Sequence, residues 1–222
     1  MIIALDGPSA SGKGIIGSRI AERLCFAYLD TGLLFRAIAY QVICQQVNPE
    51  DRSAIIQIAK KIANYSLGDP QLRTEEVGNI ASLLACIPEV RDILVQYERD
   101  FGNNPPSPYK GAVLDGRDIG TIIFPEADCK IFVTAHVETR ALRRHNQLIQ
   151  SEQKSIYSEI LRDLKARDER DMQRIVAPLM PASDALYIDT TDLSIDLALE
   201  KIFSFITRKR EYLIHDEMRE AV

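Results

Sequence analysis

Two sets of residues in this chain have the types and spacing to hold phosphate. The first is the stretch Gly7-Pro8-Ser9-Ala10-Ser11-Gly12-Lys13-Gly14-Ile15, in which Gly7, Gly12 and Lys13 have the spacing of a phosphate-binding loop. Glycines let backbone N–H groups turn inward around a polyphosphate, and a following helix adds its positive end. Lys13 supplies a full charge for the outer phosphates. The residue after the lysine is Gly14 and the next is Ile15, so the loop carries no hydroxyl at either place. A Mg²⁺ ion would then be held through phosphate oxygens and water, without a direct protein ligand. The second set is arginine-rich. Residues 140 to 174 hold nine Lys/Arg against six Asp/Glu in a chain whose net charge is −5. A basic element in an acidic protein is a focused anion site. Arg167, Arg170, Asp171 and Arg174 are three and four apart and share one helix face. A solvated, internally paired face is the competing reading. Beside a phosphate loop, a lid of arginines over a nucleotide is the better one.

A third candidate is Asp115-Gly116-Arg117-Asp118, which follows the apolar run Ala112-Val113-Leu114. A carboxylate at the carboxyl end of a strand can hold Mg²⁺ or its water, which makes Asp115 a candidate. Arg36 falls about one turn into a helix that follows the second strand, near where strand ends deliver ligands in α/β sheets. A plain surface arginine is equally consistent with that segment.

These residues need strands and helices to place them. Residues 1–5, 26–30, 110–115, 130–133 and 186–189 read as five short strands. Helical periods cover 16–24, 31–43, 53–63, 74–85, 90–101, 155–174 and 193–212, and a further helix begins at Glu138 and carries Arg143 and Arg144, with Thr31 as a helix N-cap, Pro88 as an interruption and a frayed tail after Ile214. Strands alternating with helices predict an α/β fold, a three-layer sandwich around a five-stranded parallel sheet. One domain is expected over 1–222, with a core of 1–34, 108–136 and 182–222 and two helical regions at 35–107 and 137–181.

Composition narrows the function classes. No apolar stretch reaches the length of a membrane helix and no signal segment opens the chain, so a cytoplasmic protein without a membrane partner is expected. The net charge of −5 argues against a nucleic-acid partner. Cys25, Cys44, Cys86 and Cys129 are scattered and read as reduced core cysteines. Three histidines give little support to histidine catalysis or zinc.

Taken together, the motifs resemble those of the bacterial-type cytidylate kinases, a branch of the P-loop nucleoside monophosphate kinases. The matching stretches are Leu5–Gly14, Leu29-Asp30-Thr31-Gly32 with Arg36, Leu72-Arg73-Thr74, Pro88-Glu89-Val90-Arg91, Asp115–Thr121, Arg167–Asp171 with Arg174, and Val176–Leu179. The resemblance implies a monomeric enzyme that transfers the γ-phosphoryl group of ATP to CMP or dCMP with Mg²⁺. It implies that Gly7–Ile15 hold ATP, joined by lid arginines Arg140, Arg143 and Arg144. Lys13, Arg117, Arg174 and Asp115 would carry the catalytic roles. Arg36, Arg117 and Arg174 would hold the CMP phosphate, and Ser82, Arg91 and Asp118 would face cytosine. Arg167 and Asp171 would meet the sugar hydroxyls, and Thr31 stands where the family usually has serine. Two departures stand out. Ile15 replaces the family's usual threonine, and the small β-rich insert of relatives is reduced here to a short stretch near 64–73. A kinase for another nucleoside monophosphate or a small alcohol, and a non-catalytic nucleotide sensor, are the alternatives.

Overall fold

The computed structural model describes residues 1–150 and 152–220, except for the side chains of 210–220. Five strands form one parallel sheet: β1 (Ile2–Asp6), β2 (Ala27–Asp30), β3 (Ala112–Gly116), β4 (Cys129–Thr134) and β5 (Leu186–Asp189). Their spatial order is β2-β3-β1-β4-β5. The order reverses at β1, so the crevice beyond its carboxyl end is the place where such sheets bind ligands. The phosphate loop occupies that place.

Alternation along β1 divides the core. Ile3 and Leu5 face α1 (Lys13–Leu24) and α8 (Ile195–Glu220), packing with Ile16, Ile20, Val113, Ile131, Val133 and Ile202. Ala4 faces the other side. There Leu29 and Leu114 pack with α2 (Thr31–Cys44), α3 (Arg52–Ala59), α4 (Glu75–Leu84) and α5 (Pro88–Asn103). The pair α6 (Val137–Gln150) and α7 (Tyr157–Gln173) has a small core of its own, built on Ala141, Leu148, Ile160 and Leu164. Burial of strand residues on both faces explains why the strands read as continuous apolar runs.

Several boundaries differ from the sequence expectations. Thr31 is the first residue of α2, not its cap, and the cap position is Asp30. The Thr31 hydroxyl donates instead to the Asp115 carbonyl at 2.9 Å. Pro88 does not interrupt a helix; it opens α5 at the first turn, where its missing N–H costs nothing. The helix expected over 53–63 ends at Ala59, followed by a short 3₁₀ turn at Ile62–Asn64. A second 3₁₀ turn at Pro70–Arg73 is capped by Asp69, whose carboxylate accepts from the Gln71 N–H. No strand occurs between residues 60 and 75. After β3 the chain makes a π-turn at Ile119–Ile123. The cysteines are not core residues as a group: only Cys129 is buried, while Cys25, Cys44 and Cys86 are exposed. All three lie at or just beyond helix C-termini, where the chain leaves the packed face. The expected fraying after Ile214 concerns side chains outside the described residues; the α8 backbone runs to Glu220.

Candidate functional site

The loop between β1 and α1 is shaped by what surrounds it. Gly7 has φ +150°, and a Cβ there would stand 1.9 Å from the Val133 carbonyl oxygen of β4. Only glycine lets the chain leave β1 past its neighbouring strand. Ala10 and Gly12 also adopt positive φ, and the Gly12 carbonyl accepts from the N–H groups of Ile15 and Ile16 at 3.1 Å. The result is a tight turn opening directly into the N-terminus of α1, which suits an anion. Ile15 is 55% exposed and points away from the core.

Lys13 and Asp115 meet at the mouth of this loop. Lys13 Nζ lies 3.4 Å from Asp115 Oδ1, and both side chains are nearly buried. Oδ1 itself has no hydrogen-bond partner, because the lysine stands at ion-pair distance without hydrogen-bond alignment. Asp115 Oδ2 accepts from the Tyr28 hydroxyl at 3.0 Å. Burial pushes the Asp115 carboxyl up, against the pull of Lys13. Burial likewise lowers Lys13, helped by the Arg117 charge nearby. Asp6, at the end of β1, accepts the N–H groups of Ile119 and Gly120 at 2.8 Å and so ties the loop's base to the π-turn. Burial lifts Asp6 to about 7 even so.

The arginines and carboxylates beyond the end of β3 form two clusters. In one, Asp171 of α7 accepts from Arg117 Nε at 3.1 Å and from the Ser82 hydroxyl at 3.5 Å, with Arg167 Nε at 4.0 Å. Ser82 also accepts from Arg170 at 2.7 Å. Burial opposes the charge of Asp171, but Arg117 and Arg167 outweigh it and hold the carboxyl below its usual range. Arg117 is raised: burial would lower it, and the Asp171 and Asp115 carboxylates prevail. Arg167 Nε is buried without a hydrogen-bond partner, and burial lowers its guanidinium to about 10. In the other cluster Asp118 accepts from Arg91 on one oxygen and from Arg174 Nη2 on the other, the latter at 3.4 Å. Burial pushes the Asp118 carboxyl up against both guanidiniums. Buried Glu98 stands by this pair, and burial raises its carboxyl well above the ordinary range.

Arg36 is held by two carbonyls, donating to Leu72 O at 2.6 Å and Thr74 O at 3.0 Å. It passes directly over Gly78 of α4, where a Cβ would stand 2.6 Å from Nη2. A cleft beside the loop is lined by Ser9 and Ala10, Arg36, Asn79 of α4, Arg144 of α6 and Arg167 of α7, and does not include Lys13, Asp115, Arg117, Asp118, Asp171 or Arg174 in its lining.

The three arginines of α6 all bond to protein groups. Arg140 forms a two-pronged pair with Asp168, at 3.2 and 2.5 Å, and donates to the carbonyls of Ala135 and Ser9. Arg143 donates to the hydroxyl and carbonyl of Thr190, and that hydroxyl donates on to Ser11 O at 2.9 Å. Arg144 reaches across the cleft to Glu75 at 2.7 Å and to Arg73 O at 2.9 Å. Arg140 and Arg143 therefore brace the back of the phosphate loop, and only Arg144 lines the cleft.

The cytidylate kinase family model matches residues 3–208. The chain belongs to the cytidylate kinase family. It is 46% identical to the cytidylate kinase of Rhodospirillum rubrum over 95% of this chain and 99% of that one. It is 46% identical to that of Paramagnetospirillum magneticum over 94% and 99%, and 43% identical to that of Methylocella silvestris over 99% and 97%. Among solved structures it is similar to an uncharacterized protein from Eubacterium ventriosum, with a TM-score of 0.55 and 14% identity over 93% of this chain and 98% of that one. That likeness speaks for the fold alone. Among the described residues no helix is long and apolar enough to cross a membrane.

For a cytidylate kinase site, sequence reasoning passed over Tyr28, Asp6, Glu98, Asp168 and Thr190. Asp6 and Asp168 sit inside the matching motifs, and their adjacency to Gly7 and Arg167 was a usable signal. Tyr28, Glu98 and Thr190 lie in apolar or mixed runs that say nothing of a site.

Proposed function

We propose that the chain transfers the γ-phosphoryl group of ATP to CMP or dCMP, giving CDP or dCDP, with Mg²⁺ as the cofactor. One observation carries the reading: Lys13 of the phosphate loop and Arg117 of the acceptor cluster stand within electrostatic reach of each other around Asp115. Two phosphate groups can therefore be brought end to end at that point.

Family membership supplies the substrate class, and the side chains supply the roles. Backbone N–H groups of Gly7–Ile15 and Lys13 grip the donor triphosphate. Arg36, Arg117 and Arg174 hold the acceptor phosphate, and bidentate guanidinium contacts orient it for in-line attack. Phosphoryl transfer spreads charge over the equatorial oxygens, so guanidinium and ammonium groups already fixed in place lower the barrier without reorganising. Asp118, with Arg91 beside it, accepts from the cytosine amino group, and Ser82, held in the Asp171 cluster, is assigned to the base as well. A uracil carbonyl there would face a carboxylate and leave buried polar groups unpaired. Asp171 and Arg167 take the sugar hydroxyls, and Thr31 fixes the backbone of Asp115 from below. Arg144 leaves Glu75 for the donor phosphates, while Arg140 and Arg143 act by bracing the loop. The residues fit Mg²⁺: the buried, unpartnered Asp115 Oδ1 beside Lys13 would hold it through water. When bound, Mg²⁺ would supply charge neutralisation for the transferring phosphoryl group. The enzyme works as a monomer in the cytoplasm, in three parts: a core of 1–34, 108–136 and 182–222, an acceptor-binding region of 35–107 and a lid of 137–181.

The test is an acceptor panel. Purified protein with ATP and Mg²⁺ is given CMP, dCMP, UMP and AMP, and product formation is followed by chromatography. CMP or dCMP leading the panel is expected. UMP or AMP leading it overturns the acceptor assignment, and tight binding of ATP and CMP without CDP overturns catalysis.

A further inference from the structure

Tyr28 lies at the site without a role. It sits on β2, two residues before Asp30, and its ring fills the space beside α1 that Gly17 leaves open, with Cε2 2.8 Å from where a Gly17 Cβ would be. Its hydroxyl is placed by this packing. It lies 3.0 Å from Asp115 Oδ2 and 3.4 Å from the Gly14 carbonyl oxygen. Only one of these acceptors can take the single phenolic proton, and the shorter, charged one is favoured.

The position of that hydroxyl relative to Gly14 carries the argument. General phosphate loops place Ser or Thr directly after the lysine, with the hydroxyl on Mg²⁺. Here that position is Gly14. A Cβ built on Gly14 would point at Asp115 Oδ2, 3.7 Å away, and at the Tyr28 hydroxyl, 3.8 Å away. The phenol and the carboxylate thus occupy the region toward which a loop hydroxyl at position 14 would project. Ile15, the neighbouring residue, offers no hydroxyl and is 55% exposed. With Oδ2 engaged by Tyr28, Oδ1 is the oxygen left bare beside Lys13.

We propose that Tyr28 is a positioning residue for phosphoryl transfer, its hydroxyl orienting Asp115 so that Oδ1 faces the hydrated Mg²⁺ of the donor nucleotide in place of the missing loop hydroxyl. The inference rests on the proposed use of ATP with Mg²⁺. Tyr28 acts through Asp115 and supplies the fixed hydroxyl from β2 rather than from the loop.

The test compares wild type, Tyr28→Phe, Asp115→Asn and the double variant. The probe is Mn²⁺, measured by the paramagnetic resonance signal of the free ion in the presence of a non-hydrolysable ATP analogue. Tyr28→Phe removes one oxygen and keeps the ring that packs on Gly17. It is expected to weaken Mn²⁺ binding in the ternary complex by about three- to tenfold, the scale of one hydrogen bond. Binding of the metal-free analogue stays at the wild-type level. The double variant is expected to match Asp115→Asn, because the phenol has no partner left to orient. Equal Mn²⁺ affinity in wild type and Tyr28→Phe overturns the inference, even if Tyr28→Phe melts earlier, since that is what a packing role alone would give. Additive losses in the double variant overturn it too, as does a wild type that takes no Mn²⁺ with the analogue. Turnover of CMP is measured separately: a wild type inactive on CMP counts against the proposed reaction and leaves the Mn²⁺ comparison to decide about Tyr28.

Discussion

Gly78 lies in the first half of α4, beneath the guanidinium of Arg36, and replacing it by alanine separates helix stability from acceptor binding. The new Cβ would stand 2.6 Å from Nη2, 3.1 Å from Cζ and 3.2 Å from Nη1 of Arg36. The obstacle is the far end of a flexible side chain, so the helix stays and Arg36 swings aside. Alanine for glycine inside a helix contributes about 1 kcal/mol. Against it stands the loss of the Arg36 bonds to the Leu72 and Thr74 carbonyls, where a charge-assisted hydrogen bond contributes about 1.5–3 kcal/mol. Water reaches part of this region and recovers some of that loss, so the net stability change stays within about 2 kcal/mol, or a shift of about 4–8 °C in Tm at this chain length. The acceptor phosphate loses a placed guanidinium. At about 1.5–3 kcal/mol that is a rise of roughly 10- to 150-fold in KM for CMP. KM for ATP is expected to hold, because the donor loop makes no bond to Arg36. Steady-state kinetics with each substrate varied, alongside thermal melting, reads all three quantities. A Gly78→Ala protein with wild-type KM for CMP and a Tm raised by the full helix gain would refute the reasoning, since Arg36 would then have no need of its present place.

Three other outcomes are expected. Lys13→Ala lowers kcat by about a hundredfold or more through lost charge stabilisation at the transferring phosphoryl group; near wild-type turnover in a coupled assay would remove the loop from the donor role. Asp118→Ala reduces the preference for CMP over UMP by at least about tenfold and leaves KM for ATP unchanged. The same change strands Arg91 and Arg174 as buried charges and lowers stability by about 3 kcal/mol, read by urea denaturation. Asp6→Asn alters the pH dependence of stability. The Asp6 carboxyl is raised by burial to about 7 in the folded chain, above its unfolded value of 3.8, so folding takes up a proton between those limits and stability from this group falls as pH rises from about 4 to 7. The fall in Tm over that window is expected to be shallower in Asp6→Asn than in wild type, and parallel curves would contradict the raised carboxyl.

Local pattern carried the parts of the site that are local. The phosphate loop could be read because glycine, lysine, strand and helix are contiguous from residue 2 to 24, and Asp115 because an apolar run ends in it. The five strands were legible since both faces of the sheet are buried and the runs are short and apolar. Partnerships across the chain had no such signal. Ser82 and Asp171 are 89 residues apart, and Arg143 and Thr190 are 47 apart, so no spacing relates them. Family resemblance named Ser82 and Asp171 as substrate groups, but their bond to one another, and to Arg117, is visible only in the fold. The run of arginines on α6 shows the opposite case. The family resemblance implied three lid ligands for ATP there, whereas tertiary packing commits Arg140 to Asp168 and Arg143 to Thr190. Pro88 misled for a simpler reason: a proline reads equally as an end or a beginning, and Ile87 before it is extended, which makes it a beginning.

The α6–α7 pair carries its own small apolar seam, apart from the two larger ones that grip the sheet. What fastens it to its surroundings is a set of charged and hydroxyl bonds: Arg144 with Glu75, Arg117 with Asp171, Arg170 with Ser82, Arg143 with Thr190. Salt screens exposed charge pairs strongly and buried ones little, so of the two ion pairs it loosens Arg144–Glu75, whose carboxylate side chain is 46% exposed, far more than the buried Arg117–Asp171. Added salt therefore weakens one tie, on the Glu75 side, and leaves the buried ties of the α6–α7 pair and the body of the protein as they were.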